Sequence, residues 1–154
     1  MLSLGAYEVG ASHYPLMILL HVSFFISLIV EVATFERNLS PLFPYFFIFF
    51  LFVQALRIWC IATLGMYWNT KIIILPGADV VKKGPYNYLK HPNYFVVCCE
   101  ILMLPLMFEA YLTAIVFTIL NIAILSVRIS IEEKALTEAT NYYYKFKKKI
   151  QYPS

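Results

Sequence analysis

Residues 82–100 read KKGPYNYLKHPNYFVVCCE, a polar, turn-rich stretch that passes directly into an apolar run. Pro92 favours an extended conformation at His91. Proline also suits the first position of a helix, because its missing N–H would have no partner there. The stretch therefore predicts a helix that begins at Pro92 beside a polar loop. The free N–H groups at such a helix start favour an anion, and aromatic and basic residues crowd the same place, which indicates a ligand site.

The composition is that of an integral membrane protein. Of 154 residues, 61% are hydrophobic and only 14% are charged, against about 25% charged residues in soluble domains. The five glycines form no dinucleotide-binding or phosphate-loop pattern. The three cysteines have no metal-ligand spacing, so neither a metal nor a disulfide framework is expected. The net charge of +3 comes from lysines beside apolar segments, so no nucleic-acid partner is expected.

Four apolar segments have about the length that crosses a bilayer, and they cover residues 14–35, 42–68, 92–108 and 110–127. We therefore predict an all-α integral membrane protein with four transmembrane helices, of which the last two form a helical hairpin. A polar loop over 69–91 and a C-terminal amphipathic helix over 128–149 complete a single domain of residues 1–154.

Basic residues predict the orientation of these segments. Lysines are concentrated in the 69–91 loop and in the tail, whereas the opposite side carries only Arg37. By the positive-inside rule, the loop and the tail face the cytoplasm. The helical hairpin returns the tail to the side of the loop, so the two polar stretches can meet.

Two patterns fall in these two polar stretches: GPYNYLKHPNY at 84–94 and RISIEEKAL at 128–136. Together, and in this order, they resemble the isoprenylcysteine carboxyl methyltransferase family, whose patterns are GPYxYxRHPxY and R-x-x-x-E-E-x-x-L. More distantly, they resemble phospholipid methyltransferases. The chain departs from the family at Lys90, where arginine is frequent, and at Thr140-Asn141, where Phe-Gly is usual. The upstream stretches GMYW at 65–68 and LPG at 75–77 resemble the bacterial branch of the family, which implies a bacterial cell membrane. Bacterial relatives commonly have another upstream helix, so two alternatives stay open for Met1: the true start, or an internal or truncated one.

The resemblance implies a membrane methyltransferase that uses S-adenosylmethionine and acts on a carboxylate or a hydroxyl group of a lipophilic acceptor, which enters from the membrane lipid. It implies that the cofactor lies between the His-Pro segment and the C-terminal helix, open to the cytoplasm. The implied catalytic residues are Arg128, Glu132 and Glu133. The implied cofactor-binding residues are Tyr86, Tyr88, Lys90, His91, Pro92, Tyr94 and Glu132.

The chemistry of these residue types agrees with such a ligand. A carboxylate suits the helix start at Pro92 with its basic neighbours, an adenine ring suits tyrosine faces, and a sulfonium suits Glu132 or Glu133. Arg128 would clamp an acceptor carboxylate, which needs no base. A phenol or enol would instead give its proton to one of the two glutamates.

Two charged residues, Arg57 and Glu100, fall inside apolar segments, where each costs on the order of 2.5–3.5 kcal/mol on insertion scales. We expect Arg57 to face the bundle interior and to pair with Glu100. A substrate-binding role and a structural role are both open for this pair.

Four further polar residues have simpler interpretations. Gln54 and His21 are expected to bridge helices rather than to bind a ligand. Glu31 and Glu109 lie near the outer ends of their segments and are expected to be solvated.

Two alternative functions remain open. A membrane reductase of the sterol-reductase type, which uses NADPH, shares a His-Pro and C-terminal helix arrangement, although its additional polar motifs are not seen here. A non-enzymatic membrane bundle or scaffold is the other alternative. No internal repeat or pair of broken helices supports transport.

Overall fold

The computed structural model describes residues 2–147, apart from the side chains of residues 2, 144 and 147. The last two residues of the predicted helix over 128–149 therefore lie outside the described part of the chain. The elements are two short strands and five helices, which we label in chain order: β1 Tyr7–Val9, α1 Tyr14–Thr34, α2 Phe43–Leu64, β2 Ile72–Ile74, α3 Pro92–Met107, α4 Tyr111–Ala139 and α5 Tyr142–Lys147.

Three helical segments are long and apolar enough to cross a membrane: Ala11–Thr34, Phe43–Tyr67 and Tyr111–Ala139. The fourth apolar helix, α3, is shorter, with 16 residues. It packs between α2 and α4, and α1 packs on α4. Large apolar side chains on α1, α2 and α4 point outwards and are exposed, as the lipid-facing side of a membrane bundle requires. These features are those of an all-α membrane protein.

Helix α3 begins at Pro92, as the sequence predicts, and α2 ends earlier than predicted. Gly65 follows Leu64 with a φ of 52°, a conformation that glycine adopts without steric cost. A single helical turn over Gly65–Tyr67 then leads to Trp68. This early end leaves Trp68 free to turn back towards the bundle.

The fourth apolar segment and the predicted tail helix form one continuous helix. No glycine or proline interrupts the chain between Tyr111 and Ala139, so α4 runs through residue 128 without a break. It ends where Thr140 becomes extended, with φ −138° and ψ −179°. The Thr140 hydroxyl accepts a hydrogen bond from the backbone N–H of Tyr142 at 3.2 Å and thus caps the start of α5. The sequence predicted a separate helix that begins at residue 128, whereas in the structure α4 continues to Ala139 and the short α5 follows it.

A two-stranded antiparallel sheet joins the start of the chain to the 69–91 loop. Residues Tyr7 and Val9 lie opposite Ile74 and Ile72. Strand β2 buries its isoleucines against Ala135 of α4. The sheet therefore fixes the loop on the face of α4 that carries Arg128. Strands of three residues are too short to show an alternating pattern, so the sequence did not predict them.

The prediction that Glu31 is solvated is wrong. Its side chain is buried, at 4% exposure, and its carboxylate accepts hydrogen bonds from the backbone N–H groups of Leu112 at 3.1 Å and Thr113 at 2.7 Å. The first N–H groups of a helix have no partner within it, and a negative charge is favourable at that end. Glu31 thus caps α4 from a neighbouring helix, while Glu109 in the corner before α4 is partly exposed.

We expect Glu31→Ala to lower the free energy of unfolding by about 2 kcal/mol, because one buried and one partly buried N–H group lose their acceptor. Thermal unfolding in detergent measures the change. Glu36→Ala, in the exposed turn after α1, is the matched control. Equal effects of the two substitutions would show that the cap does not stabilise the hairpin.

Candidate functional site

A cavity of about 500 Å³ opens at the end of the bundle where α1 begins, α2 ends and α3 begins. Its walls are the first turns of α1, the end of α2, the chain from residue 67 to residue 94, and the α4–α5 region. Small-molecule sites occupy about 300–1,000 Å³. The two polar stretches that the sequence places on one side of the bundle therefore enclose a space of ligand size.

Arg128 forms the charged centre of the α4 wall. It is buried, at 8% exposure, and its Nε donates a hydrogen bond to the Tyr94 hydroxyl at 2.8 Å. Another N–H group donates to the Thr70 carbonyl, and the Tyr94 hydroxyl donates to the Glu132 carboxylate. Within residues 2–147, no carboxylate lies within ion-pair distance of Arg128. Its charge therefore remains without a counter-ion at the wall of a cavity.

Glu133 lies outside the cavity lining and connects α4 to the chain just before α3 and to α5. Its Oε1 accepts hydrogen bonds from Tyr142 at 3.0 Å and from Lys90 at 3.2 Å, and it lies 3.3 Å from Nε2 of His91. Because an ionised carboxylate only accepts, His91 carries its proton on Nε2. Burial, and after it the hydrogen bond to Glu133, raise the pKa of the Tyr142 hydroxyl, which therefore remains a donor at neutral pH. Glu133 thus fixes the basic residues that precede α3.

Three buried polar atoms in the cavity wall have no hydrogen-bond partner among the described residues: Trp68 Nε1, Tyr86 Oη and Asn93 Oδ1. Such atoms are costly to bury, and most buried polar atoms in proteins are paired. Burial raises the pKa of Tyr86, so its hydroxyl keeps its proton. All three atoms are inaccessible to solvent, so they remain unpaired behind the surface of the wall.

Hydrogen bonds beside the cavity join residues 79–80 of the loop to residues 141–145 after α4. The Asp79 carboxylate accepts hydrogen bonds from the Asn141 amide and from Lys145 Nζ, the latter at 3.3 Å. The backbone N–H of Val80 donates to Asn141 Oδ1 at 3.1 Å. The hydrogen bond from Asn141, followed by that from Lys145, lowers the pKa of Asp79. Asn141 belongs to the Thr140-Asn141 departure from the family pattern.

The ion pair predicted between Arg57 and Glu100 is present. The guanidinium Nε donates to one carboxylate oxygen at 2.9 Å, and a second N–H donates to the other oxygen. Gln54 donates to the same carboxylate at 2.6 Å across α2 and α3, which confirms its predicted bridging role. His21 does not bridge helices: its Nδ1 lies 2.8 Å from the Met17 carbonyl of its own helix.

The structure brings most of the predicted site residues to the cavity. Those in its wall are Arg57, Tyr86, Lys90, His91, Tyr94, Arg128 and Glu132. Glu100 and Glu133 are not in the lining, but they form ion pairs with the lining residues Arg57 and Lys90. Pro92 is buried at the start of α3. Tyr88 is 85% exposed and lies outside the cavity lining. Trp68 and Asn93 line the cavity although no sequence pattern indicated them.

Comparisons with known proteins agree with this architecture. Residues 46–138, more than half of the chain, match the model of the isoprenylcysteine carboxyl methyltransferase family. The uncharacterized protein YpbQ of Bacillus subtilis (strain 168) is 50% identical over 134 residues, which cover 87% of this chain and 80% of that protein. An uncharacterized protein of Haemophilus influenzae is 29% identical over 138 residues, which cover 89% and 80% of the two chains. No solved structure matches significantly.

Proposed function

The chain belongs to the isoprenylcysteine carboxyl methyltransferase family, and from that premise we propose that it is an integral membrane O-methyltransferase. It would take the methyl group of S-adenosylmethionine and transfer it to a carboxylate or a hydroxyl group of a lipophilic acceptor. The observation that carries the proposal is the cavity wall in which buried Arg128, without a carboxylate partner in the described chain, stands one helical turn from Glu132.

The residues around the cavity fit the proposed methyl donor. Bound S-adenosylmethionine supplies a methyl group attached to a positively charged sulfur. Glu132 is placed to stabilise a positive charge, and Lys90 and His91 at the start of α3 suit a carboxylate. The aromatic residues of the wall, Trp68, Tyr86 and Tyr94, suit the face of an adenine ring. These residues would bind and orient the donor, and orientation is the main requirement of an in-line transfer.

Arg128 is the residue best suited to the acceptor oxygen. Its guanidinium is held by Tyr94 and by the Thr70 carbonyl, so it is oriented before a ligand arrives. A fixed cation binds and positions a negatively charged oxygen through charge-assisted hydrogen bonds. A carboxylate brings such an oxygen to the site, and a hydroxyl group does so once it has lost its proton.

We further propose that the single domain crosses the cell membrane four times, with α3 as the short crossing. Its 16 residues span about 24 Å, somewhat less than the hydrocarbon core, and the corner at Glu109 joins it to α4 as a hairpin. Lys71, Lys82 and Lys90 lie at the cavity end of the bundle, which favours a cytoplasmic position for this end.

Binding and labelling experiments test the proposal. The protein in lipid nanodiscs is titrated with S-adenosylhomocysteine and separately with NADPH, and is then incubated with a lipid extract and a methyl donor carrying a deuterated methyl group. We expect S-adenosylhomocysteine to bind, NADPH not to bind, and mass spectrometry to find the label in a lipophilic product. Binding of NADPH without label transfer would favour a reductase. Failure of both ligands and of labelling would favour a non-enzymatic bundle.

A further inference from the structure

Tyr142, at the start of α5, is a buried residue of the cavity wall that lies outside the two sequence patterns. Its side chain is 5% exposed and lines the cavity. Its hydroxyl donates a hydrogen bond to Oε1 of Glu133 at 3.0 Å, and Nζ of Lys90 lies 5.9 Å from the centre of its ring. A cation within about 6 Å of an aromatic ring is attracted to the face of that ring. Tyr142 therefore contacts Lys90 directly and, through Glu133, indirectly.

Three groups share Oε1 of Glu133, and Tyr142 is the nearest of them. Lys90 Nζ lies at 3.2 Å and Nε2 of His91 at 3.3 Å, whereas charge-assisted N–H···O bonds to carboxylates usually measure about 2.7–2.9 Å. A carboxylate oxygen has about two lone pairs, and an ammonium group has three N–H donors. Glu133 therefore holds Lys90 only loosely, and Lys90 keeps donors for a ligand in the cavity, which it also lines.

The two contacts matter because a lysine side chain is long and flexible. The side chain of Lys90 is 51% exposed, and such a side chain loses much rotamer freedom when a ligand fixes it. A side chain that is already held near its bound position loses less of this freedom, so the ligand binds more tightly. Tyr142 and Glu133 therefore lower the entropic cost of using Lys90 as a ligand-binding group.

The chain on both sides of Tyr142 is attached to the loop that precedes α3. On one side, the backbone N–H of Gly77 donates to the carbonyl of Ala139 at 3.0 Å. On the other side, Lys145 Nζ donates to the carbonyl of Val80 at 3.0 Å. These bonds join parts of the protein itself, so they place Tyr142 beside Lys90 before a ligand arrives.

We propose that Tyr142 is a positioning residue that holds Lys90 ready for the carboxylate of the methyl donor. This inference rests on the proposed methyltransferase function. The ring of Tyr142 attracts the ammonium group of Lys90, and its hydroxyl orients the Glu133 carboxylate that contacts the same ammonium group. Tyr142 does not itself have to touch the carboxylate of the donor. It acts before the donor binds, so it contributes to the affinity for the donor and not to the rate of the transfer step.

Two ligands test this role because they differ only at the carboxylate. S-adenosylhomocysteine has the carboxylate, and its decarboxylated analogue, S-adenosyl-3-thiopropylamine, has a hydrogen atom in its place. Both are titrated into the protein in lipid nanodiscs and followed by calorimetry. Tyr142→Phe keeps the ring and removes the hydroxyl group, and Tyr142→Leu removes both. Tyr45→Phe, at an exposed position near the start of α2, is the matched control.

We expect Tyr142→Phe to weaken the binding of S-adenosylhomocysteine about tenfold, as loss of one hydrogen bond to a charged group does, and to leave the binding of the analogue unchanged. Tyr142→Leu should cost about threefold more, because the contact between the cation and the ring is also lost. Tyr45→Phe should bind both ligands as the native protein does. In the methyl-transfer assay, Tyr142→Phe should raise KM for S-adenosylmethionine by the same factor with little change in kcat.

A double-mutant cycle shows whether Tyr142 acts through Lys90, and it requires only S-adenosylhomocysteine. Lys90→Met removes the ammonium group and keeps a side chain of similar length. Residues that act through one another have effects that do not add. Tyr142→Phe should therefore weaken binding clearly in the native protein but hardly at all in the Lys90→Met variant.

The inference is overturned if Tyr142→Phe binds S-adenosylhomocysteine as tightly as the native protein does. It is also overturned if both ligands lose the same factor, because a purely structural role would act on them alike, or if Tyr142→Phe costs as much in the Lys90→Met variant as in the native protein. Failure of the proposed function appears elsewhere, in the native protein itself, which would then bind neither ligand and transfer no labelled methyl group.

Discussion

Arg128→Ala is expected to lower kcat/KM for methyl transfer by about 100-fold, the loss that follows when a reactant is misplaced by about 1 Å in a site that works by positioning. Arg128 is buried, it orients Tyr94, and it holds the Thr70 carbonyl of the loop that covers the cavity. The substitution therefore removes a positive charge, and it also removes the hydrogen bonds that hold Tyr94 and the Thr70 loop in place. The assay follows transfer of a labelled methyl group to a lipophilic acceptor in nanodiscs.

Two further substitutions identify the origin of this loss. Arg128→Lys keeps the charge but lacks the planar fork that reaches Tyr94 and Thr70 together, so it should recover only a small part of the activity. Lys134→Ala removes a cation from the exposed side of the same helix and should leave kcat/KM unchanged. Native activity of Arg128→Ala with normal S-adenosylhomocysteine binding would contradict a role of Arg128 in the reaction.

The long elements of the fold could be predicted from the sequence because their causes are local. Apolar runs gave the positions of α1, α2, α3 and α4, and the rule for proline at a helix start placed the beginning of α3 at Pro92. The pairing of Arg57 with Glu100 followed from the cost of a lone charge in an apolar segment.

Features that depend on distant parts of the chain could not be predicted. Glu31 looked solvated because its partners, the N–H groups of α4, lie about 80 residues away in sequence. The β1–β2 pairing joins the chain start to the loop after α2, and no local pattern indicates such a contact. The sequence placed Tyr88 with its tyrosine neighbours, but the turn over Gly84–Asn87 buries Tyr86 and leaves Tyr88 in solvent.

The same reasoning explains why the apolar side of the cavity was its least predictable part. The charged side consists of residues close together in sequence, within 84–94 and 128–136, which form recognisable patterns. His21 and Arg57 lie on two separate helices, each in an apolar run, and line one cavity only after the bundle has assembled. For His21, the sequence suggested a bond between helices, whereas its Nδ1 binds its own helix.

Arg57→Leu is expected to destabilise the protein by about 3–5 kcal/mol, because Glu100 would keep a charge without a partner or have to take up a proton. Glu100→Leu should have a similar effect, since it leaves Arg57 unpaired inside an apolar segment. Thermal unfolding and the yield of folded protein measure both changes. Gln54→Leu, which removes one hydrogen bond from the same carboxylate, is the milder control and should cost about 1 kcal/mol.

The double variants decide whether this pair serves stability alone. Exchange of the two residues, Arg57→Glu with Glu100→Arg, should recover folded protein that either single exchange loses. Replacement of both by leucine removes both charges and should be close to neutral for stability, as it is for many buried ion pairs. If the leucine pair also transfers methyl groups to a lipophilic acceptor at the native rate, Arg57 has only a structural role. We expect instead a stable protein that binds S-adenosylhomocysteine normally and binds the lipophilic acceptor poorly, because Arg57 lines the cavity and Glu100 holds it there.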